Sequence, residues 1–521
     1  MTQPKGALLV VLVLLAPSAA HAQEFEVVDA TIASVHEALS AGRLTCHTLV
    51  QSYLNRIAAY DKTGPTLNTI QNLNPRALTE ADSLDAVQRM GGTTGPLHCV
   101  PVLLKDQIET RDMPTTYGSA LFKDFVPTRD ATVVTRLEAA GAIILAKTTM
   151  GEFASRYLGS AFGIIRNAYD PTRNPSGSSG GTGSGVAASF GLVGIGEDTG
   201  GSVRGPAAVN GLVGLRPTLQ LVSRHGMLPA NPTQDTMGPM TRTVMDAALL
   251  LDVMVGYDPA DPITAYAVGH VPSSYAASLS TDALHGVRIG VLREPMDTSA
   301  RSESEDFAKV DAVINQAITD LRTLGVEIID SLVIDSLAGG RDIDNNYETE
   351  RAIDDYLREH PNAPVKTFKE IMLSGVVVPV RARGMMSLVG KTTQDPGYLT
   401  VIQKREALRL GVLKAMADQH LDAIVYPTFN NQPAIIPDDV LVSAQPKDGY
   451  AKGDNRGLSP AIGFPALTVP AGLTSDGLPV GLEFLGRPFS EAQLLGFGYA
   501  YEQATHRRRP PQTTPPLGSG R

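Results

Sequence analysis

Asn174-Pro-Ser-Gly-Ser-Ser-Gly-Gly-Thr-Gly-Ser-Gly185 is the stretch on which the reading of this 521-residue chain turns, and Glu197-Asp-Thr-Gly-Gly-Ser-Val-Arg204 follows it closely. Ten of the 25 residues from Gly177 to Gly201 are glycine, so backbone N–H groups can crowd around one bound atom. Hydroxyl side chains sit inside both runs, which points to a serine nucleophile beside an amide-lined anion pocket. No histidine lies between the runs, so another side chain must take the proton of that serine.

Three motifs compete for the stretch. Gly183-Ser-Gly185-Val-Ala-Ala188 fits the dinucleotide fingerprint G-x-G-x-x-G/A, which needs a strand immediately before it. Gly177-Ser-Ser179-Gly-Gly181 fits the hydrolase elbow G-x-S-x-G, which needs the same, with a distant histidine such as His420 as base. Pro171 to Ser179 carries two prolines and no apolar run, which argues against both. The third reading joins Lys105, Ser178 and Ser202. Val100-Pro-Val-Leu-Leu104 reads as a buried strand with Lys105 at its C-terminal end. Burial strips the ammonium of hydration and lowers its pKa, so a neutral amine can activate a serine that is otherwise a poor nucleophile. Thr199, Gly200 and Gly201 directly before Ser202 can turn several N–H groups toward one developing oxyanion.

Outward from the motifs the chain alternates strands and helices. Ile32, Val35, Ala38 and Leu39 form one helical stripe, and Thr45 caps a second helix with Leu49, Val50, Tyr53, Leu54 and Ile57 inward. The spacing predicts a helix over Ala131–Ala140, capped at Asp130 or Thr132, and a strand over Ala142–Ala146. It further predicts a strand over Val287–Leu292, a helix over Phe307–Leu324 (Val310, Val313, Ala317, Leu321 and Leu324 inward) and a strand over Val326–Ile329. Such alternation implies an α/β fold with a sheet covered by helices on both faces. Residues 339–400 lack the strand rhythm and read as a polar, helical insertion near the site, with Tyr347–Leu357 its clearest helix; Val401–Ala417 is a further helix. No repeat or long linker divides the chain, so residues 24–509 form a single domain and 510–521 a frayed tail.

The formal charge of −10 and the lack of tryptophan give no reason to expect nucleic acid as a partner. Lys5, the apolar run from Ala7 to Ala16, Pro17 and the small-residue ending Ala20-His21-Ala22 describe a cleavable signal peptide over residues 1–22. The run is too short to span a membrane, so the mature protein is expected in the periplasm or medium without stable membrane insertion. Cys46 and Cys99 are the only cysteines. In an exported chain they are candidates for one disulfide, and with no C-x-x-C or H-E-x-x-H they make no zinc site alone.

These residues resemble the amidase signature family of serine hydrolases. The likeness rests on Lys105 in Gly95-Pro-Leu-His-Cys-Val-Pro-Val-Leu-Leu-Lys-Asp-Gln107, on Ser178 in the G-S-S-G-G run, and on Ser202 in the D-x-G-G-S-x-R block. It extends to Met113-Pro-Thr-Thr-Tyr-Gly118, Gly141-Ala-Ile-Ile-Leu-Ala-Lys147, Asn210-Gly-Leu-Val-Gly-Leu-Arg-Pro217 and Gly463-Phe-Pro-Ala-Leu-Thr-Val-Pro470, covering about residues 30 to 505 with the core motifs within 95–220. Cys99 stands where the family often has glycine, and Gln107 where it often has asparagine. The resemblance implies a large, mixed, twisted sheet and a relay without metal or cofactor: Lys105 accepts from Ser178, Ser178 accepts from Ser202, and Ser202 attacks an amide carbonyl. It further implies an oxyanion hole of the Thr199, Gly200, Gly201 and Ser202 N–H groups, orienting roles for Ser179, Asp198 and Arg204, and a cis Gly177–Ser178 peptide. The region after Gly339 is similar to that of peptide amidases and aryl acylamidases, which implies peptide amides, anilides or small amides as substrates and carbamates or esters as side activities. The alternative within the family is a glutamyl-tRNA amidotransferase A-type subunit, which the signal peptide opposes.

Overall fold

The computed structural model describes residues 2, 25–296, 304–338, 343, 346–447 and 454–518. Apart from Thr2, the expected leader over residues 1–22 lies outside them, as do parts of the 339–400 segment and the last three residues of the tail. The strands are β1 (Ile70–Leu73), β2 (Pro101–Lys105), β3 (Ile143–Thr148), β4 (Leu158–Gly159), β5 (Gly163–Ile164), β6 (Val193–Asp198), β7 (Val213–Arg216), β8 (Thr236–Thr241), β9 (Arg288–Val291), β10 (Glu327–Asp330), β11 (Ala423–Pro427), β12 (Ala466–Leu473) and β13 (Pro479–Leu485). All but the β4–β5 pair join one sheet in the order β1-β3-β2-β6-β8-β7-β12-β13-β11-β9-β10. β2 runs parallel to both β3 and β6, whereas β8, β7, β12 and β13 pair antiparallel, so the sheet is mixed.

Every residue of β2, β3 and β6 is buried, as strands covered on both faces must be. The two glycines of β6 are part of the reason. A Cβ at Gly194 would lie 2.5 Å from Thr182 Cγ2 and 2.8 Å from Val186 Cγ2, so the helix Gly180–Ala187 rests directly on this strand. No strand lies immediately before that helix, in accord with the prolines of 171–179, and the glycine run opens it straight out of a loop.

The helix Cys46–Tyr60 starts at Thr45 in a capping box with Thr48 and buries Leu49, Val50, Tyr53 and Ile57. Its first residue is disulfide-bonded to Cys99, with Cα atoms 5.3 Å apart. The bridge ties this outer helix to the approach to β2. Replacing both cysteines with alanine should lower the unfolding free energy by about 3–4 kcal/mol on the loop-entropy account. Urea titration of the double variant measures it, and an unchanged midpoint would mean that the bridge constrains nothing.

Three local expectations need correction. Helix Thr132–Ala139 has Ala131 at its N-cap with no side-chain cap. Asp130 pairs with Arg111 instead, and Thr132 donates to Asp258. The helix Glu305–Thr323 turns Val310, Ile314, Ala317, Ile318 and Leu321 inward, leaving Val313 and Leu324 only half-buried, because true 3.6-residue spacing drifts away from the predicted stripe. Residues 510–518 are docked, not frayed: Arg56 donates to the Thr514 and Pro515 carbonyls at 2.7 and 2.9 Å, and Thr514 is buried. Arg507 and Arg508, just before them, pair with Asp320 and Asp29.

The described part of 339–400 is helical, with Thr349–Arg358, Phe368–Leu373, Pro379–Met386 and the start of Pro396–Asp418. It packs on the residues that follow β2. Tyr356 lies 2.6 Å from the Tyr117 hydroxyl, and His360 pairs with buried Glu109 at 2.8 Å.

Candidate active site

Leu104 pairs with Ile195 across the parallel β2–β6 ladder. Lys105 and Glu197 therefore emerge from adjacent strands at the same C-terminal edge, where open α/β sheets collect ligands. Lys105 is wholly buried. Its Nζ donates to Ser178 Oγ at 2.7 Å, to Glu197 Oε2 at 2.7 Å and to the Glu197 carbonyl at 3.1 Å, which matches the three protons of an ammonium. Burial pulls the amine's pKa below the usual lysine range, with the Glu197 carboxylate working against that fall. The Gly177–Ser178 peptide is cis. Ser179 Oγ donates to the Glu197 carbonyl at 3.1 Å and accepts the Glu197 N–H at 3.3 Å, pinning the serine loop to β6.

Behind Glu197 lies a second acid. Thr199 Oγ1 sits 2.5 Å from Glu197 Oε1 and 2.8 Å from Asp235 Oδ1. Asp235 Oδ2 accepts the Ala230 and Asn231 N–H groups at 2.8 and 2.7 Å. Burial, then the nearby Glu197 charge, raises the Asp235 pKa to about 7.

The 198–203 loop is held from beneath by an ion cluster with fully buried side chains. Asp198 accepts from Arg204 and Arg216, each at 3.2 Å, and Arg204 continues to Glu483. Burial opposes ionisation of Asp198, yet the two guanidinium groups hold its carboxyl well below the ordinary range. Glu483 is pushed up by burial despite sharing Arg204, so Asp198 is the firmer anion. Asp198 also accepts the Gly201 N–H at 2.8 Å and the Val203 N–H at 3.1 Å, with Gly201 at φ +106°, a conformation that favours glycine. Ser202 follows at 8% exposure, and Gly200 faces open space.

Lys105 and Ser178 are thus brought together as expected. Ser202 is not joined to Ser178: among the described residues its hydroxyl has no hydrogen-bond partner. The four-donor oxyanion hole is also corrected, because the Gly201 N–H is already given to Asp198. The N–H groups of Thr199, Gly200 and Ser202 have no acceptor among the described residues. Glu197, Asp235, Arg216 and Glu483 were missed; Glu197 lies inside the quoted block, but its partner is 92 residues away. One group of histidine, cysteine and carboxylate side chains among the described residues is close enough to share an ion, namely Cys46, His98 and Cys99, and its two sulfurs are bonded to each other.

A covered mixed sheet with a buried lysine on a serine and a second serine in an amide-rich loop fits a serine hydrolase. The sequence pattern of the Amidase family matches residues 48–495, and the chain belongs to that family. It is 34% identical over 515 residues to an Arabidopsis thaliana protein named "Probable amidase", covering 94% of this chain and 92% of that one. It is 33% identical over 504 residues to the A-type subunit of the glutamyl-tRNA(Gln) amidotransferase of a Synechococcus strain, covering 94% and 95%. Among solved structures, the native peptide amidase of Stenotrophomonas maltophilia superposes with TM-score 0.81 at 35% identity over 94% of this chain and 99% of that one. A peptide amidase in complex with the competitive inhibitor chymostatin gives 0.82 at 36%, over 93% and 99%.

Proposed function

We propose that the enzyme cleaves carboxamide C–N bonds through an acyl-enzyme on Ser202, with Ser178 and Lys105 as the proton relay. The observation that carries this reading is the 2.7 Å bond from a fully buried Lys105 to Ser178, beside a loop whose serine hydroxyl has no hydrogen-bond partner among the described residues. Ser202 Oγ bonds to the carbonyl carbon as its proton passes to Ser178 and that of Ser178 passes to Lys105. Negative charge then grows on the carbonyl oxygen, where the Thr199, Gly200 and Ser202 N–H groups receive it. The proton returns along the same path to the leaving nitrogen, the C–N bond breaks, and water releases the acid by the same route. Ser179, Asp198 and Arg204 orient this machinery without touching substrate.

Peptide amides and aryl amides are the favoured substrates, ahead of small aliphatic amides, carbamates and esters. The likeness to two peptide amidase structures at 35–36% identity supports placing peptide amides first. The second reading, an amidotransferase A-type subunit, is favoured by curated relatives of that name. Hydrolysis of C-terminal peptide amides, anilides, aliphatic amides and carbamates by the isolated mature chain distinguishes the two. Ammonia or amine release should be fastest from the first two classes; a chain inert on all of them would favour the amidotransferase reading.

Export belongs to the same reading, supported by the charged, apolar and small-residue order of 1–22 and by the Cys46–Cys99 bridge. N-terminal sequencing of protein recovered from the periplasm or medium should begin at Gln23. A chain beginning at Met1 and found only in the cytosol would overturn the leader.

A further inference from the structure

A lysine cannot accept a proton from Ser178 while it carries three of its own. The Glu197 carboxylate, 2.7 Å away in a fully buried pair, favours that charged state. Taken alone, this contact disables the proposed relay.

The hydrogen-bond inventory around the pair resolves the conflict. Thr199 has one hydroxyl proton, yet its oxygen lies within bonding distance of two carboxyl groups, Glu197 Oε1 and Asp235 Oδ1. One of these contacts must be donated from the carboxyl side, so the two acids hold one proton between them. Asp235 is the better holder. Burial and the nearby Glu197 charge raise its pKa to about 7, and no cation lies within ion-pair distance of it among the described residues, whereas Glu197 faces the ammonium. The two backbone N–H groups on Oδ2 leave Oδ1 as the oxygen that carries the proton. The donors then run from Asp235 to Thr199 Oγ and from Thr199 to Glu197 Oε1, while Lys105 donates to Glu197 Oε2 and to Ser178. The other charges facing this group are settled among themselves. Asp198, the next residue on β6, is held by Arg204 from the following helix and by Arg216 from β7. Glu197 is left as the carboxylate aimed at Lys105.

We propose that Glu197 is the terminal proton acceptor of the relay: as Ser178 passes its proton to Lys105 Nζ, Lys105 releases one of its own to Glu197 Oε2. The resting pair is ammonium and carboxylate, and the pair as a unit is the base. The step balances. One O–H bond is lost at Ser202 and one is formed at Glu197, Lys105 keeps three N–H bonds, and the negative charge leaves Glu197 as it appears on the tetrahedral oxyanion. Glu197 acts through Lys105 and is a positioning residue for its proton. The inference rests on the Ser202–Ser178–Lys105 reading above.

The test is the pH dependence of two rates in the wild type and in Glu197→Gln: labelling of Ser202 by a fluorophosphonate, and kcat and KM for an amide. With the pair as base, wild-type labelling needs no deprotonation of the amine beforehand, so its acid limb lies below that of a variant whose amine must deprotonate first. In Glu197→Gln a buried amine without counter-charge must lose its own proton first. The limb then moves up by about one pH unit or more, a loss of about tenfold at a fixed acidic pH, with kcat affected and KM unchanged. A limb that moves down would mean that Glu197 merely holds Lys105 charged, and an unmoved limb that it is only structural; either result overturns the proposal. If Glu197→Gln does not fold, Glu197→Asp decides: with the carboxylate drawn back from Nζ by one methylene the limb should move up as well, and a limb that moves down or stays overturns the proposal. Failure of the substrate reading is separable: Ser202 would still label, with the same profile, in a protein inert toward amides. A label on another residue removes the relay and this inference together.

Discussion

Ser202→Ala should lose amide turnover by on the order of 10⁵-fold or more in kcat, with no change in unfolding midpoint. The two halves of that expectation have separate causes. The hydroxyl is the atom that bonds to carbon, so no other group can form the acyl-enzyme. It also makes no hydrogen bond among the described residues and stands at 8% exposure, so its loss leaves no buried partner unsatisfied. Ser179→Ala is the informative contrast. That hydroxyl bonds both the N–H and the carbonyl of Glu197. Its removal should cost about 1–3 kcal/mol of stability, with much of the activity retained. If Ser179→Ala were the dead variant and Ser202→Ala the active one, the nucleophile would belong in the Gly177–Gly181 turn. Kinetics with denaturant titration of both proteins separates the cases.

The largest effect on stability is expected at Arg204. Its guanidinium joins Asp198, Glu483 and the Arg456 carbonyl at a place with no solvent. Arg204→Met keeps most of the bulk but leaves Glu483 without its cation and Asp198 with Arg216 alone. Breaking a buried pair from one side costs about 3–5 kcal/mol, because the remaining charge stays buried. Activity should fall as well, since Asp198 is the group that holds the Gly201 and Val203 N–H bonds and hence the shape of the nucleophile loop. The pH dependence has a definite sign. Asp198 has a depressed pKa in the folded protein, so its contribution is complete above about pH 4 and is lost as the pH falls through the lower folded value. Urea midpoints of wild type and Arg204→Met should therefore converge on acidification. A constant difference down to strongly acidic pH would remove Asp198 as the partner that matters.

Much of the sheet was legible because its strands announce themselves locally. Val100–Leu104 and Ala142–Ala146 are short apolar runs beside turn signals, and both appear as strands with ends shifted by one or two residues. The antiparallel half was less legible. β8, Thr-Met-Gly-Pro-Met-Thr, has neither an apolar run nor alternation, and is a strand because β6 and β7 flank it on both sides. The docked tail escaped notice for a similar reason. Pro510 to Leu517 has no periodicity, and its order comes from Arg56 and Tyr60, more than 450 residues earlier, and from the Ala168 carbonyl.

The sequence by itself determined the chemistry available to this protein: a lysine ending an apolar strand, two serines in glycine-rich runs at fixed spacing, and the family to which those motifs belong. Such signals are local, written in side-chain type and short-range pattern, and they survive without knowledge of the fold. Only the tertiary structure decided how the charges are shared. Lys105 meets Glu197, Asp198 turns back on its own loop and takes one expected oxyanion donor, and Asp235 closes a chain of acids behind Thr199. Electrostatic partnership depends on distance and on exclusion of water, and both arise from which strands lie side by side, a relation that residues far apart along the chain do not record.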